Sequence, residues 1–162
     1  MFGLTPLGII HTAISLIALM TGSIALIRTQ EISWKNLVGK IYVVTTFITC
    51  LTGFGIFQHG GFGKAHVLGI ITIVVLEIAL IAEIKKPFGK ASLFIGTIGF
   101  STTFFFHLIP AITETATRIP LSAPLASSPD DPRIQMAIGI CFVLFLFGVA
   151  KQVKKIQSEK TK

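Results

Sequence analysis

Charge is what this sequence has least of. Asp, Glu, Lys and Arg together fill 13% of the 162 positions, about half the share of a soluble globular domain, while apolar residues fill 52%. So little polar surface cannot cover a water-soluble core, which excludes an ordinary soluble enzyme and leaves an integral membrane protein. Acidic residues are scarcer still, seven against fourteen Lys and Arg. The basic surplus is spread over short connections and a tail rather than gathered in a patch, so no nucleic-acid partner is expected. The two cysteines, Cys50 and Cys141, fall inside apolar runs and read as small buried hydrophobes, without a disulfide. No HExxH or other local metal pattern occurs, so any metal or cofactor site has to be assembled from distant residues. No Lys or Arg precedes Arg28. The first apolar run therefore lacks the basic start of a secretory signal and is expected to stay as a span.

What is present is a series of apolar runs, at about 7–27, 38–58, 66–82, 91–112 and 134–150. Each is close to the length that crosses the hydrocarbon core as a helix. The predicted fold is all-α: one polytopic bundle of five transmembrane helices filling residues 1–162, with a long connection at 113–133. Lys and Arg alternate in number along the connections: none before the first run, three after it (Arg28, Lys35, Lys40), then Lys64 alone. Three follow (Lys85, Lys86, Lys90), then two (Arg118, Arg133), then five in the tail. The positive-inside rule turns this alternation into an N-terminus outside and a C-terminus in the cytoplasm.

With that topology all four histidines, His11, His59, His66 and His107, lie at the outer ends of their spans. Ionisable side chains at membrane depth are expensive and point to function by default. Helical spacing groups them with small or polar residues: His11, Ser15, Ala18 and Gly22; Gly96, Gly99, Thr103 and His107; Thr45, Thr49, Thr52, Ile56 and His59; His66, Ile70, Ile73 and Glu77. These faces are expected to point inward, the small residues leaving room either for a flat ligand or for close helix contact. Glu77, near mid-bilayer, is expected to be protonated or hydrogen-bonded to Thr45, Thr46 or Thr49. The prolines at 110, 120, 124, 129 and 132 are expected to exclude a long helix after His107. A short surface helix over AITETATR would then pair Glu114 with Arg118, and Asp130 and Asp131 would cap the last span. Trp34 and Tyr42 read as interfacial anchors.

Two chemistries fit the histidines. Haem b would take His11 and His107 as axial ligands, with His66 as substitute and Arg118 near a propionate, giving a one-electron carrier that serves a quinone or a redox partner protein. Zinc or copper would take three of His11, His59, His66 and His107, with Glu114 as fourth ligand or as general base in a hydrolase. A third class, a structural or assembly protein, would use the histidines only for hydrogen-bonded packing. The lipid bilayer is the partner common to all three, and a homo-oligomer is compatible with each.

His11 followed by Gly22, Ala25 and Leu26, then LVGKIYV over 37–43 and a late Gly53, resembles the bacterial inner-membrane family catalogued as domain of unknown function 2306. The resemblance covers roughly residues 7–110, with His11, Gly39, Tyr42 and Gly53 matching position by position. It implies a multi-pass protein of the bacterial inner membrane, grouped with small membrane haem proteins, and so favours haem. Lys35 stands where that family has a histidine, and KKPFGKAS after the third span lacks its later histidine and Trp-Met signature.

Overall fold

The structure is a computed structural model and describes residues 5–57 and 61–160, with the backbone alone for residues 159 and 160. Five α-helices account for most of it: α1 (Pro6–Thr29), α2 (Leu37–Gly53), α3 (Lys64–Lys85), α4 (Ser92–Arg118) and α5 (Pro132–Lys160). A single 3-10 turn, Gly89–Ala91, leads into α4. α1, α3, α4 and α5 are long and apolar enough to cross a membrane, and α2 is an apolar helix of 17 residues, about 25 Å at the helical rise. The chain is thus an all-helical, multi-pass membrane protein.

Local chemistry sets the helix ends. The Thr5 hydroxyl accepts the Gly8 N–H at 3.1 Å with Pro6 in the first helical position, and Asn36 Oδ1 accepts the Gly39 N–H at 2.8 Å. α1 ends on Gln30 and α3 on Lys86, both left-handed (φ 62° and 50°). Asp131 caps α5 by accepting the Arg133 N–H at 2.9 Å and pairs with its guanidinium. Asp130 instead pairs with Lys64 at the start of α3.

One expectation fails here. α4 does not stop near Pro110 but runs through it to Arg118, so the segment expected as a separate surface helix is the end of α4. Proline is tolerated inside membrane helices because neighbouring groups and small local adjustments re-satisfy the freed backbone. Beyond it, Thr113 and Thr117 donate to the carbonyls of Ile109 and Thr113 at 2.9 and 2.8 Å.

The packing order follows chain order. α1 lies along α2, α3 along α4, α2 touches α3 and α1 touches α4, while α5 rests on the outside of α4. α1 to α4 therefore form an up-down square with α2 and α4 at opposite corners. Small residues set the close approaches: a Cβ on Gly22 would lie 2.5 Å from the Phe104 ring, and one on Gly99 2.8 Å from Ala79 Cβ. The stripes are thus filled by neighbouring side chains, the close-contact alternative, with Ala18 and Ala79 fully buried. The α3 face differs from the one expected. His66, Thr72, Leu76, Ala79 and Ala82 point inward, while Ile70 and Glu77 are exposed, and Glu77 has no threonine partner. Inward rotation is set by Ala79 seating against Gly99, which carries Glu77 outward. Cys50 and Cys141 are free thiols.

One end of the bundle collects the lysines. There Glu83 accepts the Ser33 hydroxyl at 2.5 Å and the Trp34 N–H at 2.8 Å, folding the α1–α2 connection onto α3. The backbone of Ser33 presses on α2 so closely that a Cβ on Gly39 would lie 1.9 Å from its carbonyl oxygen. Gln152 of α5 donates to the Gln30 carbonyl at 2.7 Å and bonds the Ser101 hydroxyl, and Lys155 reaches the Thr29 carbonyl at 3.1 Å. The last helix thereby closes the open C-terminus of the first.

Gly39→Ala should destabilise the protein by about 3 kcal/mol, since a backbone atom has to move, whereas Gly139→Ala and Gly148→Ala, whose added methyls meet nothing, should change little. Unfolding in mixed detergent micelles compares the three. Hydrogen bonds from Arg133 hold the Asp131 carboxyl at about 2, below its ordinary 3.8. The cap is complete above that ordinary value and fades as the pH falls through about 2. The exchange protection of the Arg133 amide should fall across that interval, and protection that persists below it would contradict the assignment.

Candidate functional site

The opposite end of the bundle carries the histidines, and each has a different hydrogen-bonding role. His107, on α4, is 6% exposed and its Nε2 lies 3.1 Å from Thr46 Oγ1 of α2. The Tyr42 hydroxyl, one turn before Thr46 on the same helix, lies 2.8 Å from Thr103 Oγ1 of α4. Thr103 donates its own proton to the Phe100 carbonyl at 2.8 Å, so it accepts from Tyr42. The His107 ring meets Tyr42 edge-on at 6.3 Å.

Tyr42 is fully buried at the centre of the bundle, so the reading of it as an interfacial anchor is wrong. Its ring supplies apolar bulk between diagonal helices and its hydroxyl ties them together. Sequence spacing held a signal: Tyr42, Thr46 and Thr49 recur at helical spacing on one face, beside the face read from Thr45. The Thr45 hydroxyl is spent on the Ile41 carbonyl of its own helix at 2.7 Å.

His11, on α1, meets another threonine of α2. Its Nδ1 lies 3.0 Å from Thr52 Oγ1, and the Thr52 proton is shared between the Ile48 and Thr49 carbonyls at 2.9 and 3.0 Å. Nδ1 is therefore the donor and the lone pair of the neutral ring sits on Nε2. The ring rests against Gly53, where a Cβ would come within 3.3 Å of Cε1. His107 and the Glu114 carboxylate both lie within electrostatic reach of His11. Glu114 is ion-paired with Arg118 one turn further along α4, the pairing expected from the sequence, on a helix longer than expected.

His66 stands in the first turn of α3. Its Nδ1 accepts the Gly63 N–H at 3.2 Å, and its ring is sandwiched between Phe57 at 5.0 Å and Phe62 at 5.2 Å. Its Nε2 is, among the described residues, the one buried side-chain nitrogen or oxygen without a hydrogen-bond partner. A cavity of about 270 Å³ lies beside this clamp, lined by Thr5 at the head of α1 and by Gly55, Ile56 and Phe57. His59 lies outside the described residues.

Ligand chemistry can be tested against these roles. An imidazole binds iron through a lone pair, with the other ring nitrogen held by a protein acceptor. His11 meets that requirement: Nδ1–H is held by Thr52 and Nε2 is available. His107 has its Nε2 against the Thr46 hydroxyl. His66 has an Nε2 without a partner among the described residues, while its Nδ1 accepts the Gly63 N–H. A zinc or copper centre needs three converging donors. Among the described residues no three His, Cys, Asp or Glu side chains stand together.

Fold and site define the class: a multi-pass helical membrane protein with buried histidines gathered at one end of a four-helix square. Comparison of the chain with protein-family models, curated proteins and solved structures returns no match.

Thr46→Val leaves the buried His107 Nε2 without its hydroxyl partner. It should cost about 1–3 kcal/mol, against less than about 0.5 for Thr45→Val. Equal losses in denaturant unfolding would show that the His107–Thr46 bond contributes no more than a surface hydroxyl.

Proposed function

We propose that the chain is a haem b-binding electron-transfer protein of the bacterial inner membrane, with five spans, the histidine end facing outward and His11 and His66 as the axial pair. The observation that carries this reading is the buried Nε2 of His66, a polar atom held away from water with no partner among the described residues. Burying such a group is unfavourable unless a ligand completes it. When bound, haem would supply reversible one-electron transfer.

The residues of the chain do the rest. Thr52 fixes the His11 ring through Nδ1 and raises the basicity of Nε2. Phe57 and Phe62 hold the His66 ring flat and exclude water around it. Arg118 brings positive charge to the rim, where the Glu114 carboxylate limits it and anionic side groups of a porphyrin would meet it. His107 serves the packing of α2 on α4 and takes no part in ligation.

The test is an absorption spectrum of the detergent-purified protein, oxidised and then reduced with dithionite, in the parent and three variants. A Soret band with sharp reduced α and β bands is expected in the parent, absent in His11→Ala and His66→Ala. The band should survive in His107→Gln, which lowers thermal stability instead. A parent protein that stays colourless after haem is added back sinks the proposal. Loss of the bands in His107→Gln with retention in His66→Ala would return the second axial position to His107.

A further inference from the structure

A second pocket, of about 220 Å³, opens at the lysine end. Its walls come from two connections and the helix ends they join: Glu31 to Lys35 before α2, Ala82 to Lys86 at the end of α3, and Gly89 to Thr97 at the start of α4. We propose that it binds the phosphodiester headgroup of a membrane phospholipid.

Three observations converge. Lys35, Lys86 and Lys90 line the pocket against two carboxylates, Glu31 and Glu83. Glu83 is already engaged by the Ser33 hydroxyl and the Trp34 N–H. The lining therefore carries one net positive charge, matched by the single negative charge of a phosphodiester rather than by the double charge of a phosphomonoester. Lysine is a common point-charge partner for phosphate.

The second observation is Thr97. The threonines further along α4, at 102, 113 and 117, each spend their proton on the carbonyl four residues earlier. Thr97 lines the pocket, is 8% exposed, and makes no hydrogen bond through its side chain among the described residues. A hydroxyl in an apolar helix that has no carbonyl partner and is reached from the pocket has its donor available to a ligand oxygen.

The third is position. Exposed Leu93 on the pocket wall, and Phe88 beside it in the chain, continue into the apolar outer surface of the bundle, where Ile81 and Ile84 are exposed as well. Gly89, at φ 53° with open space around it, leaves the backbone approachable at the mouth. A headgroup seated among the lysines can thus keep its acyl chains on that surface, which a soluble phosphate has no use for.

Native mass spectrometry of the full chain in detergent tests this with three probes: phosphatidylglycerol, the same headgroup as glycerophosphoglycerol without acyl chains, and inorganic phosphate. One phosphatidylglycerol should be retained per chain. Retention should weaken about tenfold in Lys35→Gln/Lys86→Gln and about threefold or more in Thr97→Val, with charged and neutral hydrogen bonds lost respectively. It should be unchanged in Lys85→Gln, which removes the same charge from the same end outside the pocket. Thr97→Val removes an atom that bonds nothing in the protein, so it keeps the test decisive if the double variant fails to fold. Equal retention by the parent and Thr97→Val, or equal weakening by Lys85→Gln, overturns the site. Binding of glycerophosphoglycerol or phosphate as tightly as the lipid overturns the lipid assignment and gives the pocket to a soluble phosphate compound.

Discussion

The bundle depends on two side-chain hydrogen bonds across its diagonal, His107 with Thr46 and Tyr42 with Thr103, whose own proton goes to the Phe100 carbonyl. Polar groups are tolerated this far from water when each finds such a partner. The spacing of α2 and α4 follows from the reach of these side chains. The other helices then fit where their small residues allow, α1 with Gly22 against Tyr42 and Phe104, α3 with Ala79 against Gly99.

That division separates structure from ligand chemistry among three similar side chains. His107 Nε2 faces a threonine hydroxyl between α2 and α4. His11 meets a threonine whose own proton is already committed to backbone carbonyls. Among the described residues His66 is held by a capping contact and two aromatic faces. A ligand at the histidine end meets groups whose readiness was set by hydroxyls one bond further away, so the threonines of α2 govern the site as much as the histidines do.

Much of this was legible in the sequence. The apolar runs marked all five helices, and the positions of α1 and α3 shifted by only a few residues at their ends. Asp131 was readable as a cap, and Glu114 with Arg118 as a pair one helical turn apart. What was not legible depended on which helices face each other. Tyr42 looks like an anchor because it lies near a span end, and only the diagonal placement of α4 turns it into the centre of the core. Pro110 looks like a stop because the proline rule for water-soluble helices is strong, yet α4 passes through it. Glu77 was placed on the inner face because its spacing from His66 is helical, but the tight seat of Ala79 on Gly99 rotates it outward. The hydrogen-bonding partners of the histidines were hidden, because they are hydroxyls on other helices that only the packing places.

The carboxamide of Gln152 closes the C-terminal carbonyl of α1 across 122 residues of chain. During synthesis those residues take roughly 6–24 seconds at about 5–20 residues per second. For that time the first helix is already made while the group that seals its end has not yet left the ribosome. The nascent protein thus has an order of completion written into it. The diagonal can form once α4 is inserted, but the lysine end stays unlatched until the last helix arrives.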